Sequence, residues 1–213
     1  MTADDGYLND WDRQPHINEA NHAQWFEEFL PVFEPRMKAL DFETVLDAGC
    51  GEGQAYPMFN GLGKKYLGVD ITLFAVQRAM ERYPKAAFQH GNVIDLVNFT
   101  DESFDLVFCK SCIVHLEKSD LVKALKSVYR VAKRWLVVSF YILPTKAGKR
   151  WAVSKDSLGF LYTATSMSHA FRLLESLRPR PVEVGSDPIV VRNCEVGGMK
   201  FDHTTFIVEK RRT

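Results

Sequence analysis

Val45-Leu46-Asp47-Ala48-Gly49-Cys50-Gly51-Glu52-Gly53 is the stretch on which the reading of the chain turns. Apolar residues lead into an Asp, as the end of a buried parallel strand requires. Three glycines then alternate, as in a backbone that turns sharply and lets a ligand approach closely. The spacing is Gly-x-Gly-x-Gly. It differs from the Gly-x-Gly-x-x-Gly of dinucleotide binders, since position 54 is Gln, and no Lys follows as in a phosphate-cradling loop.

Outward from this turn, strand-like and helix-like periods alternate from about residue 18, the pattern of a parallel sheet covered by helices. Asn18 is placed to cap a helix with an apolar stripe of Trp25, Phe26, Phe29, Leu30 and Phe33. Pro31 and Pro35 predict that it breaks into two short helices. Strands are predicted at 44–47, 65–70, 87–90, 104–109 and 135–141. Helices are predicted over Leu73–Met80, over Leu121–Val131 and from Ser168 to Leu177. Closing strands are expected at 182–184 and 204–208, with Ile189-Val190-Val191 as a further edge strand or hairpin arm. No repeats or low-complexity segments interrupt the chain.

The motif Val45-Leu46-Asp47-Ala48-Gly49-Cys50-Gly51-Glu52-Gly53 resembles the first motif of the class I S-adenosylmethionine-dependent methyltransferases. The resemblance spans roughly residues 40 to 142 through four stations in order. It implies a doubly wound, mostly parallel seven-stranded Rossmann-like sheet with an antiparallel last strand and a helical N-terminal cap. The whole is expected as one domain: cap 1–40, cofactor-binding core 41–142, and substrate loop, helix and closing strands 143–213. The cofactor implied is S-adenosylmethionine, and the activity implied is methylation of a small molecule, with oxygen as the expected acceptor atom.

Ligands of such sheets lie beyond the carboxyl ends of the strands. Asp47, Gly49 and Gly51 fall at the first such end, where the glycine turn lets backbone amides face the methionine part of the cofactor. Asp70 and Ile71 close the second strand, where an acidic side chain can accept from both ribose hydroxyls; the other reading of Asp70 is a helix N-cap. At Gly91-Asn92-Val93 the family commonly has Gly-Asp, so Asn92 departs from the pattern. Its amide can still accept from the adenine amino group, with Val93 beside the ring; alternatively Asn92 merely shapes a turn. Lys110 ends the fourth strand, and its carbonyl rather than its ammonium is expected beneath the sulfonium.

His115 falls where family members acting on small molecules often carry a His near the reacting centre. A base of near-neutral pKa serves a hydroxyl acceptor, which must lose its proton. The other reading is a His that caps or packs the following helix. Substrate contacts are expected from the N-terminal cap, with Trp11 and Arg13, from Tyr141 at the end of the fifth strand, and from Trp151. Trp151 lies in a long basic loop, 144–155, continuing to Phe160 and Tyr162, with Gly148 and Gly159 as possible hinges of a lid. The alternative for that loop is plain soluble surface.

Composition narrows the classes further. The 27 basic and 27 acidic residues cancel, so neither nucleic acid nor anionic membrane is an expected partner. No Asn-Pro-Pro-Tyr or Asp-Pro-Pro-Tyr tetrad follows the fourth strand, where methylases of nucleic acid bases carry it. No apolar run approaches the roughly 20 residues that span a bilayer, and Met1–Gly6 lacks the features of a signal peptide. Cys50, Cys109, Cys112 and Cys194 are too scattered for a disulfide framework, and Cys109 and Cys112 lack a second ligand pair for zinc. A cytoplasmic, metal-free enzyme is the expectation.

Overall fold

The computed structural model describes residues 25–145, 148–157, 159–177, 182–184 and 189–210. By its contacts the chain divides into two compact units, Met1–Val93 and Ile94–Thr213.

In the first unit a π-helical turn, Trp25–Phe29, runs into α1, Leu30–Lys38. The helix is continuous where Pro31 and Pro35 were expected to break it. Pro31 sits in the first turn, where amides lack partners in any case. Pro35 removes one helical hydrogen bond, but the turn around it buries Phe33 and Met37 completely, which offsets that loss. The strands β1 (Thr44–Ala48), β2 (Lys65–Asp70) and β3 (Ala87–His90) pair in parallel in the order β3-β2-β1. Between β1 and β2 lies α2, Tyr56–Gly61, a short helix unforeseen in the sequence. The helix α3, Leu73–Arg82, stops at Tyr83, before Pro84.

The second unit carries β4 (Phe104–Cys109), α4 (Lys118–Val131), β5 (Ala132–Ile142), β6 (Trp151–Lys155), β7 (Leu161–Thr165), α5 (Met167–Glu175), β8 (Val182–Val184), β9 (Ile189–Val196) and β10 (Met199–Lys210). β4 and β5 are parallel, and β10 runs antiparallel to β5. β9 and β8 pair in turn along β10. The described residues therefore form ten strands, where seven were expected. The additions are β9, foreseen as a possible hairpin arm, and the pair β6–β7.

That pair corrects the reading of 144–162 as a long loop. Trp151–Lys155 and Leu161–Thr165 carry β-branched and aromatic residues, β7 being mostly buried, and they close as an antiparallel hairpin. The charges around them hid these strands. Gly159, at φ +92°, is a turn residue of the hairpin, its amide bonded to the Asp156 carbonyl at 3.1 Å. β7 then pairs in parallel with the end of β5, Ala164 opposite Tyr141.

Two cations, the half-buried Arg130 and the buried Lys210, tie this unit together. Arg130 of α4 donates to the carbonyls of Phe99 and Leu96 and to Asp101, which holds the segment leading into β4. Lys210, 4% exposed at the end of β10, donates to the carbonyls of Tyr129 and Ala132 at 2.9 and 2.6 Å, where α4 passes into β5. Its ammonium also lies 4.3 Å from the centre of the Tyr129 ring. A cation there satisfies carbonyls that the helix end leaves open and complements the helix dipole. Lys210→Met, which keeps the stem but not the donors, should cost about 1–3 kcal/mol. Urea unfolding of the two proteins at equal concentration measures the difference.

Candidate cofactor and acceptor sites

The first unit concentrates its polar chemistry where β1 and β2 end. Gly49, Gly51 and Gly53 all take positive φ, at +82°, +54° and +79°, a region that side-chain-bearing residues rarely occupy. The turn doubles back on β2: the Val69 carbonyl accepts from the amides of Gly49 and Cys50 at 2.7 and 3.0 Å. A Cβ on Gly53 would fall 2.8 Å from the Phe88 ring, so the turn also needs glycine for space. Asp47 is buried and accepts from the Tyr66 hydroxyl at 2.6 Å.

Asp70 is the hub of this end. One carboxylate oxygen accepts from the Gly51 amide at 2.9 Å, and the other from the Thr72 amide at 2.9 Å. Burial pushes the carboxyl above the ordinary carboxylate range, while those two amides pull the other way. The capping alternative has a counterpart here: the Thr72 bond is a local turn of the Asp side chain, though Thr72 itself is the residue that precedes α3. Ile71 is half-buried, and its carbonyl lies 2.8 Å from Nε2 of His90. Asn92 is half-buried and Val93 buried.

The second unit holds a separate cluster. Lys110 follows β4, and Ser111 takes φ +56°, a strained conformation for a residue with a side chain. His115 closes the single helical turn Ile113–His115. Its Nδ1 lies 2.8 Å from the Leu161 carbonyl, and its Nε2 lies 3.3 Å from the Tyr141 hydroxyl. His115 therefore does not cap α4, whose N-cap is Glu117. The rings of Tyr141 and Tyr162 stand edge-on to the imidazole at 5.8 and 4.9 Å. Burial lowers the His115 pKa to about 4; the Leu161 carbonyl and Asp156 oppose that shift, and the Lys110 charge adds to it.

His203 was not singled out in the sequence, yet it belongs to this cluster. β10 sets it opposite Tyr141, its Nε2 3.3 Å from the Ser111 hydroxyl and its ring edge-on to Tyr141 at 5.4 Å. Burial first and Lys110 second hold its pKa well below the ordinary value. Only the register of two distant strands brings the two residues together, and no local signal announces it. Trp151 stands apart from the cluster, on β6, edge-on to His169 at 5.0 Å. Trp11 and Arg13 lie outside the described residues. Cys109 is buried, Cys112 half-buried, and both are free thiols. No group that could hold a metal occurs among the described residues.

A methyltransferase-domain family model matches residues 46–136. Among relatives, a probable S-adenosylmethionine-dependent methyltransferase of Mycolicibacterium smegmatis is 30% identical over 48% of this chain and 38% of its own length. A malonyl-[acyl-carrier protein] O-methyltransferase of Erwinia billingiae is 34% identical over 42% of this chain and 34% of its own. The chain thus spans well under half the length of these relatives. A Burkholderia thailandensis 1,6-didemethyltoxoflavin-N1-methyltransferase, solved with 1,6-didemethyltoxoflavin and S-adenosylhomocysteine, superposes with a TM-score of 0.68 at 14% identity, over 98% of this chain and 87% of that one. Residues 46–136, under half of the chain, thus resemble a methyltransferase domain, and the relatives that match part of the chain include S-adenosylmethionine-dependent methyltransferases. The chain's doubly wound, mostly parallel fold with an antiparallel last strand is that of the Burkholderia thailandensis neighbour, which was solved with S-adenosylhomocysteine.

The residues at the ends of β1 and β2 fit S-adenosylmethionine, the group the resemblance implies. A carboxylate pinned between two amides keeps lone pairs for ribose hydroxyls, and a glycine turn without Cβ atoms admits a ligand to the backbone. Asp70→Ala should weaken binding of S-adenosylmethionine by about 1–3 kcal/mol, measured by calorimetric titration. The second unit makes a prediction about pH. His115 and His203 titrate lower folded than unfolded, so acid favours the unfolded chain. Their contribution is complete above about pH 6.5, the unfolded His value. It is lost as pH falls toward about 4, the folded value of His115. Each histidine adds a slope of up to about 1.4 kcal/mol per pH unit. Urea midpoints at pH 7, 6 and 5 test this, and His203→Asn should flatten the dependence.

Proposed function

We propose that this chain transfers the methyl group of S-adenosylmethionine to a hydroxyl oxygen of a small-molecule acceptor, with His115 handling the acceptor's proton. The observation that carries the reading is the His115 ring. Its Nδ1 is committed to the Leu161 carbonyl, so the lone pair lies on Nε2, next to Tyr141. An acceptor hydroxyl must give up its proton during displacement, whereas a neutral amine attacks with its lone pair before losing one. A buried neutral imidazole suits the first task.

Each candidate residue then has one task. Gly49 and Gly51 keep the backbone open to the cofactor, Asp70 accepts from its ribose, Asn92 and Val93 meet its adenine, and Asp47 and Ile71 shape the two strand ends. The group they hold supplies an electrophilic methyl carbon on a positive sulfur. Lys110 helps to keep His115 unprotonated, so that Nε2 stays available down to about pH 4. Tyr141 lines the acceptor side, and Trp11, Arg13 and Trp151 are its outer contacts. Most of the chain's contribution is alignment and exclusion of water.

The test begins with calorimetric titration against S-adenosylmethionine, S-adenosylhomocysteine and the nicotinamide dinucleotides, followed by transfer of labelled methyl to hydroxyl compounds. Binding of the first two alone, with label transfer, supports the reading; dinucleotide binding refutes it. Cofactor binding without transfer to any acceptor would make the chain a noncatalytic S-adenosylmethionine-binding protein. His115→Ala should lower turnover by about 10²-fold while leaving cofactor affinity unchanged. Normal turnover in that variant would reduce His115 to packing.

A further inference from the structure

The hydrogen bonds around His115 have a fixed direction. A backbone carbonyl can only accept, so Nδ1, 2.8 Å from the Leu161 oxygen, carries the proton of the neutral ring. Nε2 is then an acceptor, and the Tyr141 hydroxyl, 3.3 Å away, must donate to it. A phenol has a single proton. With that proton directed at Nε2, the Tyr141 oxygen can only accept from any further partner.

The Tyr141 ring has little freedom to abandon this arrangement. It is 7% exposed, stacks on Tyr162 at 5.8 Å with 20° between planes, and lies 4.3 Å from the Phe201 ring. Val114, Leu143 and Ala164 share its buried cluster, and the His203 ring stands edge-on to it at 5.4 Å. The nitrogen expected to act as base is thus covered by a fixed tyrosine hydroxyl.

We infer that Tyr141 is the catalytic residue that meets the acceptor, and that His115 acts through it as a positioning residue and proton store. The inference rests on the reading of the chain as an O-methyltransferase. The acceptor oxygen forms its bond to the methyl carbon as the carbon–sulfur bond breaks, with the electron pair passing to sulfur. The acceptor's O–H proton moves to the Tyr141 oxygen while tyrosine's own proton moves to Nε2 of His115. The products are a methyl ether, the neutral thioether, an intact tyrosine and an imidazolium, so the positive charge lost from sulfur reappears on the ring. No tyrosinate forms at any stage, in keeping with a phenol whose ionisation burial strongly opposes. The relay also selects the acceptor class. An accepting-only oxygen welcomes a phenol or alcohol, whose reacting group is a donor, and gives a carboxylate nothing to bond.

The test uses the full chain with two readouts. The first needs no acceptor: side-chain ¹⁵N spectra of His115 with and without Tyr141→Phe. The Nδ1-protonated neutral ring is expected in both, with the Nε2 resonance moving when the phenol is lost. An unmoved resonance, or a ring protonated at Nε2 in the unmodified protein, overturns the relay. The second is label transfer to catechol. Tyr141→Phe and His115→Gln should each lower turnover by about 10²-fold, with affinity for S-adenosylhomocysteine unchanged. Full turnover in Tyr141→Phe beside a loss in His115→Gln overturns the inference and returns the base role to His115 alone. Failure of the unmodified protein to bind S-adenosylmethionine refutes the functional reading instead, and the spectra still decide the relay.

Discussion

The first unit depends on a single meeting of backbone and carboxylate: the Gly51 amide on Asp70 at 2.9 Å. It requires β1 to end in a turn that only glycine tolerates, and β2 to end in register beside it, with Ala48 opposite Val69. Once those strands are aligned, the Val69 carbonyl can take two amides of the turn, and Asp47 comes within reach of Tyr66. The aromatic cluster then fits under the turn, with Tyr56, Tyr66, Tyr83 and Phe88 gathered around Cys50. Burial of those rings stabilises the strand ends, and the strand ends hold the carboxylate. Packing and site geometry are therefore one constraint seen from two sides.

The second unit is organised by the pairing of β10 with β5. Eight facing positions, from Asp202 opposite Ile142 to Glu209 opposite Trp135, fix His203 against Tyr141 at one end of the pairing. The Ser139–Thr205 hydroxyl pair at 2.8 Å lies between the strands, fully buried and satisfied. Lys210, just past the pairing, closes the turn from α4 into β5. A slip of one residue would turn His203 away from Tyr141 and strip Lys210 of its carbonyls. The cost of such a slip protects the geometry of the cluster.

Much of this was legible in the sequence because it is local. The runs at 65–70, 87–90 and 104–109 carry the apolar centres of parallel strands, and the structure reproduces their limits. The glycine turn and Asp70 were legible as a pair because each sits at a strand end that the apolar pattern marks. Other features were not local. The hairpin β6–β7 follows a basic stretch that masks its strand-forming residues, and its stability comes partly from β7 reaching across to β5. Pro35 obeys its helix-breaking propensity only where burial does not outweigh it, and Phe33 and Met37 outweigh it. His203 lies about 60 residues from Tyr141 in sequence, and only antiparallel register unites them.

The histidine cluster raises a question of charge. Two buried imidazoles beside a lysine look unfavourable for any step that ends in an imidazolium, since both desolvation and Lys110 oppose protonation. A ring already protonated at both nitrogens, however, could accept no proton from Tyr141. Burial and Lys110 keep Nε2 empty across the physiological range, and the Leu161 carbonyl and Asp156 limit how far that depression goes. Methyl transfer from a sulfonium removes one positive charge from the donor and deposits one with the departing proton, so total charge does not change. Under the proposed transfer, the environment that weakens His115 as a base at rest also leaves its Nε2 empty to receive a proton.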